Sequence, residues 1–369
     1  MKERERRIDR LTLRQRVGLE MERTLRRARV EEHPLRQLFW ESTLRCNLSC
    51  RHCGSDCRKE AQHPDMPLKD FLRVLDRISE KTDPHKVFVI VSGGEPLMRS
   101  DLEECGREIY GRGFPWGMVT NGMALTERRF DALLRAGLHS MTVSVDGFEE
   151  EHNWMRGNGL SFQRAEEAVK MALRVPEMAF DVVTCVNRCN YGQMRQLRDY
   201  LYGIGLRRWR VFTVFPAGRA ATDGEMTLDG EQTRGLMEFI KETRKEGRMN
   251  LSFSCEGFLG AYEGEVREHL FGCEAGVSIA SVLIDGSISA CTSIRANYHQ
   301  GNIYEDDFWE VWQNGFREYR NREWMRKGVC GDCRFFRYCL GNGMHLRDDE
   351  GRLTQCLLKR MTGEKCSDV

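Results

Sequence analysis

The 369-residue sequence contains no uninterrupted apolar run of the roughly 20 residues needed to cross a bilayer. Its start, Met1-Lys2-Glu3-Arg4, is dense in charge and has no apolar stretch, so a secretory signal is not expected and the expected location is cytoplasmic. An excess of one charge sign is also lacking. With 57 basic and 56 acidic side chains the formal charge is +1, which gives no overall pull toward nucleic acid or an anionic surface. Low-complexity segments and fixed-period repeats are absent, and 40% of the residues are apolar, which excludes a disordered tail protein or a fibre. What the sequence does have is cysteine, 15 in all. Reducing compartments keep thiols free, so a disulfide framework is not expected and ligation of a metal or cluster is.

The first 37 residues hold 12 basic and 7 acidic side chains. Among them Leu13, Val17, Met21 and Leu25 recur every four residues. That spacing predicts an amphipathic helix docked on the body by this stripe, ending where His33 precedes Pro34. From Leu38 onward, strand-like runs (38–43, 87–91, 117–120, 140–145, 181–186, 210–215) alternate with helix-like stretches. Six strand–helix units in series predict an α/β domain with a parallel sheet. The continuous run Val87-Phe88-Val89-Ile90-Val91 reads as a strand covered on both faces. After about residue 250 the rhythm breaks, cysteines crowd, and Asp285-Gly286 marks a two-residue hairpin turn. The expected division is 1–37, 38–248, 249–357 and a polar tail at 358–369.

Each predicted strand of the first domain is followed by residues that carry chemistry. Cys46, Cys50 and Cys53, spaced C-x3-C-x2-C, follow the first and Gly93-Gly94-Glu95-Pro96 the second. Asn121 follows the third, Ser144 and Asp146 the fourth, Asn187 and Asn190 the fifth, and Gly218-Arg219 the sixth. In barrel-like parallel folds these loops share one face, where the active site forms. Three thiolates on one compact loop suit a 4Fe–4S cluster whose fourth iron binds a small molecule. A structural zinc site, completed by His52 or Cys57, is the plainer alternative. Ser144, Asp146 and the asparagines also fit ordinary turns and helix caps.

These motifs resemble the radical S-adenosylmethionine (SAM) enzymes, whose fold is a partial (β/α)6 TIM barrel. The resemblance implies that Cys46, Cys50 and Cys53 hold a 4Fe–4S cluster and that its open iron binds SAM. It further implies that Gly93, Gly94 and Glu95 line the methionine amino group, with Asn121, Ser144 and Asp146 as further cofactor contacts. The second half, Cys273, Cys291, then Cys330-x2-Cys333-x5-Cys339 and Cys356, resembles the SPASM extension, a small cysteine-rich α+β domain that binds auxiliary clusters. Cys330, Cys333, Cys339 and Cys356 would close one auxiliary 4Fe–4S cluster, with a zinc ribbon as the alternative for these four. The pattern breaks at Gly343, where the family usually has a cysteine. A second auxiliary site would then keep Cys273, Cys291 and Cys255, and its cluster type stays open. Thr292 stands where sulfatase maturases have an aspartate, so oxidation of a sulfatase is not implied.

The resemblance implies hydrogen abstraction from a peptide or protein substrate, served by a flavodoxin- or ferredoxin-type electron donor. No nucleic-acid partner and no membrane span are expected. Residues 339–347 are similar to a subgroup encoded beside a small lipoprotein. The alternatives are a radical SAM enzyme acting on a small molecule in cofactor biosynthesis, and a non-catalytic iron–sulfur electron carrier or zinc scaffold.

Overall fold

A computed structural model describes residues 8–222, 224–254 and 256–368. Seven parallel strands run in sequence order: β1 (Gln37–Thr43), β2 (Phe88–Gly93), β3 (Trp116–Thr120), β4 (Leu138–Ser144), β5 (Ala179–Val186), β6 (Arg208–Thr213) and β7 (Asn250–Phe253). Crossover helices join them: α2 (Leu68–Ser79), α3 (Leu102–Gly111), α4 (Glu127–Arg135), α5 (Glu149–Arg156), α6 (Ser161–Leu173), α7 (Met194–Gly203) and α8 (Gly230–Glu246), all following α1 (Leu13–Glu32). This is the partial barrel the strand–helix alternation predicts, with β7 added past the sixth strand.

Strand periodicity divides each strand into two sets. Leu38, Trp40, Val89, Val91, Trp116, Met141, Val143, Val182, Trp209 and Val211 are buried beneath the helices. Trp40 stacks on Phe71 of α2 with ring centroids 4.4 Å apart. Phe39, Ile90, Val119, Thr142, Asp181 and Arg210 belong to the other set and line a concave cavity of about 480 Å³. The β2 run is therefore covered on one face by helices and on the other faces this cavity, not the double cover its continuous apolar pattern suggests.

The hairpin comprises β8 (Ile279–Val282) and β9 (Ser287–Ser289), with Gly286 at φ +85° in the turn. It does not stand apart from the barrel. β8 pairs in parallel with β1, Leu38 opposite Ala280 and Trp40 opposite Val282, and β10 (Gly301–Asn302) completes the edge. The sheet order is β10-β9-β8-β1-β2-β3-β4-β5-β6-β7. Short helices α9 (Phe308–Asn314), α10 (Arg317–Arg320), α11 (Phe336–Cys339) and α12 (Leu357–Thr362) pack around it.

A second sequence expectation is overturned. α1 forms and stops at His33, which adopts a left-handed conformation, but its apolar stripe is not the docking face. Leu13, Val17, Met21 and Leu25 are 78%, 52%, 63% and 55% exposed. The helix docks by the opposite side, through buried Leu19, Gln15 Nε2 donating to the Ala261 carbonyl at 2.7 Å and Arg26 Nη1 to the Tyr338 carbonyl at 2.9 Å. Periodicity locates an apolar line; here polar side chains reaching backbone carbonyls decide which face is held.

Candidate active site and cysteine clusters

The loop after β1 is held from several sides. Cys46 N donates to the Arg58 carbonyl at 2.8 Å and Arg51 N to that of Met155 at 2.9 Å. Arg219, after β6, clasps the far end. Its Nε donates to the Cys50 carbonyl at 2.7 Å, its Nη1 to the Cys57 carbonyl at 3.0 Å, and its backbone N to the Cys53 carbonyl at 3.0 Å. Gly218 makes that approach possible, since a Cβ there would lie 2.3 Å from the Cys53 oxygen.

Cys46, Cys50 and Cys57 are buried together around Leu48, with Cys53 packed against them. Each of the three spaced thiols has its own donor. Asn121 Nδ2 lies 3.8 Å from Cys46 Sγ, Arg156 Nη1 lies 3.7 Å from Cys50 Sγ, and the Cys57 thiol bonds Cys53. The bond from Cys57 holds the Cys53 thiol below its ordinary value and pushes Cys57 up. Burial raises Cys50 and pushes Cys46 up to about 12, so both keep their protons until a cation replaces them.

Behind the donors stand carboxylates. Glu95, only 1% exposed, accepts from Thr120 Oγ1 at 2.7 Å, Asn121 N at 2.7 Å and Leu97 N at 3.1 Å. It thereby fixes the asparagine that reaches Cys46, and burial raises its pKa. Gly93, at φ +133°, and Gly94 bring the end of β2 flush against the chain entering the cysteine loop. A Cβ on them would meet the Thr43 and Arg45 carbonyl oxygens at 2.0 and 2.3 Å. Asp146 is fully buried and accepts from Arg156 Nε at 2.6 Å and Cys185 N at 2.8 Å. Burial opposes its charge, yet the Arg156 guanidinium holds it below the usual carboxylate range. Its carboxylate is thus engaged with Arg156, which in turn reaches Cys50. Ser144 is buried at the end of β4. Asn190 Nδ2 donates to the Asp146 and Cys185 carbonyls at 2.6 and 2.9 Å, tying two strand ends together.

Two histidines complete the surroundings. Burial pushes His152 down to about 3; its Nδ1 accepts from Asp146 N at 3.0 Å and Nε2 lies 3.0 Å from Ser161 Oγ. His52 is pushed down to about 4, also by burial, and its Nδ1 has no hydrogen-bond partner.

In the second half, Cys330, Cys333, Cys339 and Cys356 line one pocket, sleeved by Phe258, Phe335, Phe336, Leu353 and Leu358. Arg347 Nη2 lies 3.2 Å from Cys330 Sγ, and burial pushes Cys356 up to about 12. Cys273 and Cys291 are near enough to perturb each other. Burial raises both, but Arg322 and two backbone amides bring Cys273 below its ordinary value. Cys255 lies outside the described residues. His345 packs edge-on against Phe215 at 5.0 Å, and Cys105 is buried in α3. Arg347 and Arg322 carry no sequence signal, because a buried arginine at a thiol looks like any surface arginine until the chain is folded.

Both thiol sets fit iron–sulfur clusters. The pocket of four is lined mainly by apolar side chains, and each thiol of the barrel loop has a donor suited to a thiolate.

Residues 40–201 match the radical SAM superfamily and residues 273–334 the iron–sulfur cluster-binding SPASM domain. The chain therefore belongs to the radical SAM enzymes. Within that superfamily it is one that carries SPASM, and it uses a 4Fe–4S cluster, SAM and auxiliary iron–sulfur chemistry. It is 25% identical over 324 residues to the AdoMet-dependent heme synthase of Oleidesulfovibrio alaskensis, covering 83% of this chain and 82% of that one. It is 29% identical over 317 residues to the mycofactocin maturase MftC of Mycolicibacterium smegmatis, covering 83% and 77%. Streptococcus suis SuiB bound to its precursor peptide SuiA superposes with a TM-score of 0.70 at 18% identity, over 91% of this chain and 79% of that one. Among the described residues no helix is long and apolar enough to cross a membrane.

Proposed function

We propose that this chain is a maturase that takes a hydrogen atom from a peptide or protein substrate. Cys46, Cys50 and Cys53 hold the radical cluster, and Gly93, Gly94, Glu95, Asn121, Ser144 and Asp146 shape the SAM site around it. Cys330, Cys333, Cys339 and Cys356 hold an auxiliary cluster, and Cys273, Cys291 and Cys255 form a second, incomplete site. The core spans 38–248 and the auxiliary domain 249–357. When bound, the cluster and SAM supply reductive cleavage of the sulfonium to a primary carbon radical able to take hydrogen from an unactivated C–H bond. The chain's own residues orient and exclude water. Glu95 acts by holding Asn121 against Cys46, and Asp146 by holding Arg156 against Cys50. A flavodoxin- or ferredoxin-type protein supplies the electron, and a small lipoprotein is one candidate substrate.

The observation that carries the radical chemistry is the separate donor on each thiol of the C-x3-C-x2-C loop, supplied by three different segments. The peptide reading is supported by the arginines around that loop, most of which already hold a carboxylate. Arg45 pairs with Asp65, Arg58 and Arg219 with Asp56, Arg156 with Asp146, and Arg295 with Glu41. A substrate with several carboxylate arms would find most of them occupied. The relatives named heme synthase favour a second reading, in which the substrate is an iron tetrapyrrole.

The test is anaerobic turnover of reconstituted enzyme with SAM and dithionite, supplied with either a perdeuterated peptide pool or a deuterated iron porphyrin. Deuterium in 5′-deoxyadenosine from the peptides, lost in Cys50→Ala, is expected. Deuterium only from the porphyrin would establish the second reading.

A further inference from the structure

The exposed face of α1 combines two features that are seldom left together on a protein surface. Leu13, Val17, Met21 and Leu25 succeed one another at four-residue steps, spanning about 18 Å along the helix. Around them Arg10, Arg14, Arg16 and Arg27 are exposed and, among the described residues, have no ion-pair partner. The remaining arginines of the helix are engaged: Arg23 pairs with Glu20, Arg29 with Glu22 and Glu274, and Arg26 reaches carbonyls. The unpaired cations therefore border the apolar stripe: Arg14 lies within it, Arg16 and Arg27 lie along one flank, and Arg10 lies just before the first turn.

The other face of α1 is fixed to the segment that carries Cys339. Arg26 donates to the carbonyls of Phe271 and Tyr338, and Glu20 accepts from the Tyr338 hydroxyl at 2.8 Å and from Arg337. Tyr338 belongs to α11, whose last residue is Cys339, one of the four thiols around the apolar pocket. A helix is about 10 Å across. The outer face of α1 is thus about one helix thickness from the chain that holds the auxiliary thiols.

We propose that this face docks an acidic one-electron carrier protein of the flavodoxin or ferredoxin class, which exchanges electrons with the cluster held by Cys330, Cys333, Cys339 and Cys356. The inference rests on reading those cysteines as cluster ligands. In each encounter one partner loses one electron and the other gains it, with no bond made or broken. Small, transient interfaces are typical of electron-transfer pairs, and a cationic rim steers an acidic partner while the apolar centre supplies the contact. An anionic lipid surface is the competing occupant. It is disfavoured because the opposite face of α1 is fixed to the segment that carries Cys339, a placement that an electron carrier uses and a lipid surface does not.

The experiment uses reconstituted holoenzyme and two probes, a bacterial flavodoxin and a bacterial two-cluster ferredoxin, each reduced and mixed anaerobically while cluster absorbance is followed. Two surface variants are compared with the wild type: Arg14→Glu/Arg16→Glu/Arg27→Glu, and Leu13→Ser/Val17→Ser/Met21→Ser/Leu25→Ser. Iron content and helicity confirm that both are folded. The expected result is a fall of tenfold or more in the bimolecular rate with at least one carrier and, for the charge variant, loss of its salt dependence, with reduction by dithionite unchanged. Unaltered carrier rates in both variants, or no reaction of either carrier with the wild type, would overturn the proposal. So would binding of wild type to phosphatidylglycerol vesicles that the variants lose while carrier rates stay the same. Cys330→Ala separates the two readings: full iron and an unchanged carrier rate in that variant would sink the cluster assignment instead of the docking face.

Discussion

Arg156 sits between a buried carboxylate and a buried thiol, and its removal has two separable effects. Arg156→Ala leaves Asp146 charged, buried and unpaired, which costs about 3–5 kcal/mol. It also withdraws the donor from Cys50. The denaturant midpoint of the cluster-free protein should fall accordingly, and the EPR signal of the reduced cluster should change in whatever holoenzyme survives. Arg156→Lys retains the charge but not the fork, so it should recover part of the stability and little of the spectrum. Cys57 allows a cleaner comparison at Cys53. Cys57→Ala removes a donor and should lower the cluster's reduction potential in an EPR-monitored redox titration, whereas Cys57→Ser keeps a hydroxyl donor and should move it less.

His152 gives stability a pH dependence of definite sign. Its folded pKa is about 3, below the ordinary 6.5, so between those values the unfolded chain binds a proton that the folded chain does not. Stability from this group is complete above pH 6.5 and declines as pH falls toward 3. Between pH 7 and 5 the loss is about 2 kcal/mol. His152→Asn keeps an acceptor for Asp146 N and removes the titration. Urea melts at the two pH values should therefore differ less in the variant than in the wild type, and equal differences would refute the assignment.

At the level of elements, the loops after the strands are set by close backbone approach. Gly218→Ala places a methyl group against the Cys53 carbonyl at a φ of +54°, so about 1–3 kcal/mol of strain falls on the clasp around the cysteine loop. Faster iron release to a chelator is expected, with little change in the melting of the barrel. These elements were legible in unequal degree. β1 to β6 could be read because each carries a run of apolar or β-branched residues next to turn signals. β7 could not, because Asn250-Leu251-Ser252-Phe253 offers only two apolar side chains in four residues. For α1 the period was readable and the docked face was not, since it is held by Gln15 and Arg26 reaching carbonyls more than 200 residues away. At the site, spacing revealed the seven thiols of the two main sets. Apart from Cys57, which shares the loop with Cys53, the donors that address them come from other segments and leave no local pattern.

For the whole molecule, the pairing of β8 with β1 joins the cysteine-rich half to the barrel through backbone hydrogen bonds. A chain ending at residue 272 would keep all seven barrel strands but leave the far edge of β1 bare. An unpaired edge next to a large apolar core is an aggregation site. Size-exclusion chromatography should show that fragment as oligomer or precipitate and the full chain as a discrete species; a monodisperse, monomeric fragment would contradict the role assigned to β8.

The same pairing sets a timetable for synthesis. Trp40 and Val282 are register partners separated by about 240 residues. At roughly 5–20 residues per second, the ribosome takes on the order of 12–50 s to deliver the second after the first. During that interval the nascent barrel can form its crossovers, but β1 waits with one side open. The cysteine loop that follows β1 is then tethered to an edge strand whose second neighbour has not yet been made. The wall beside the cysteine loop is thus finished late, once β8 has left the tunnel.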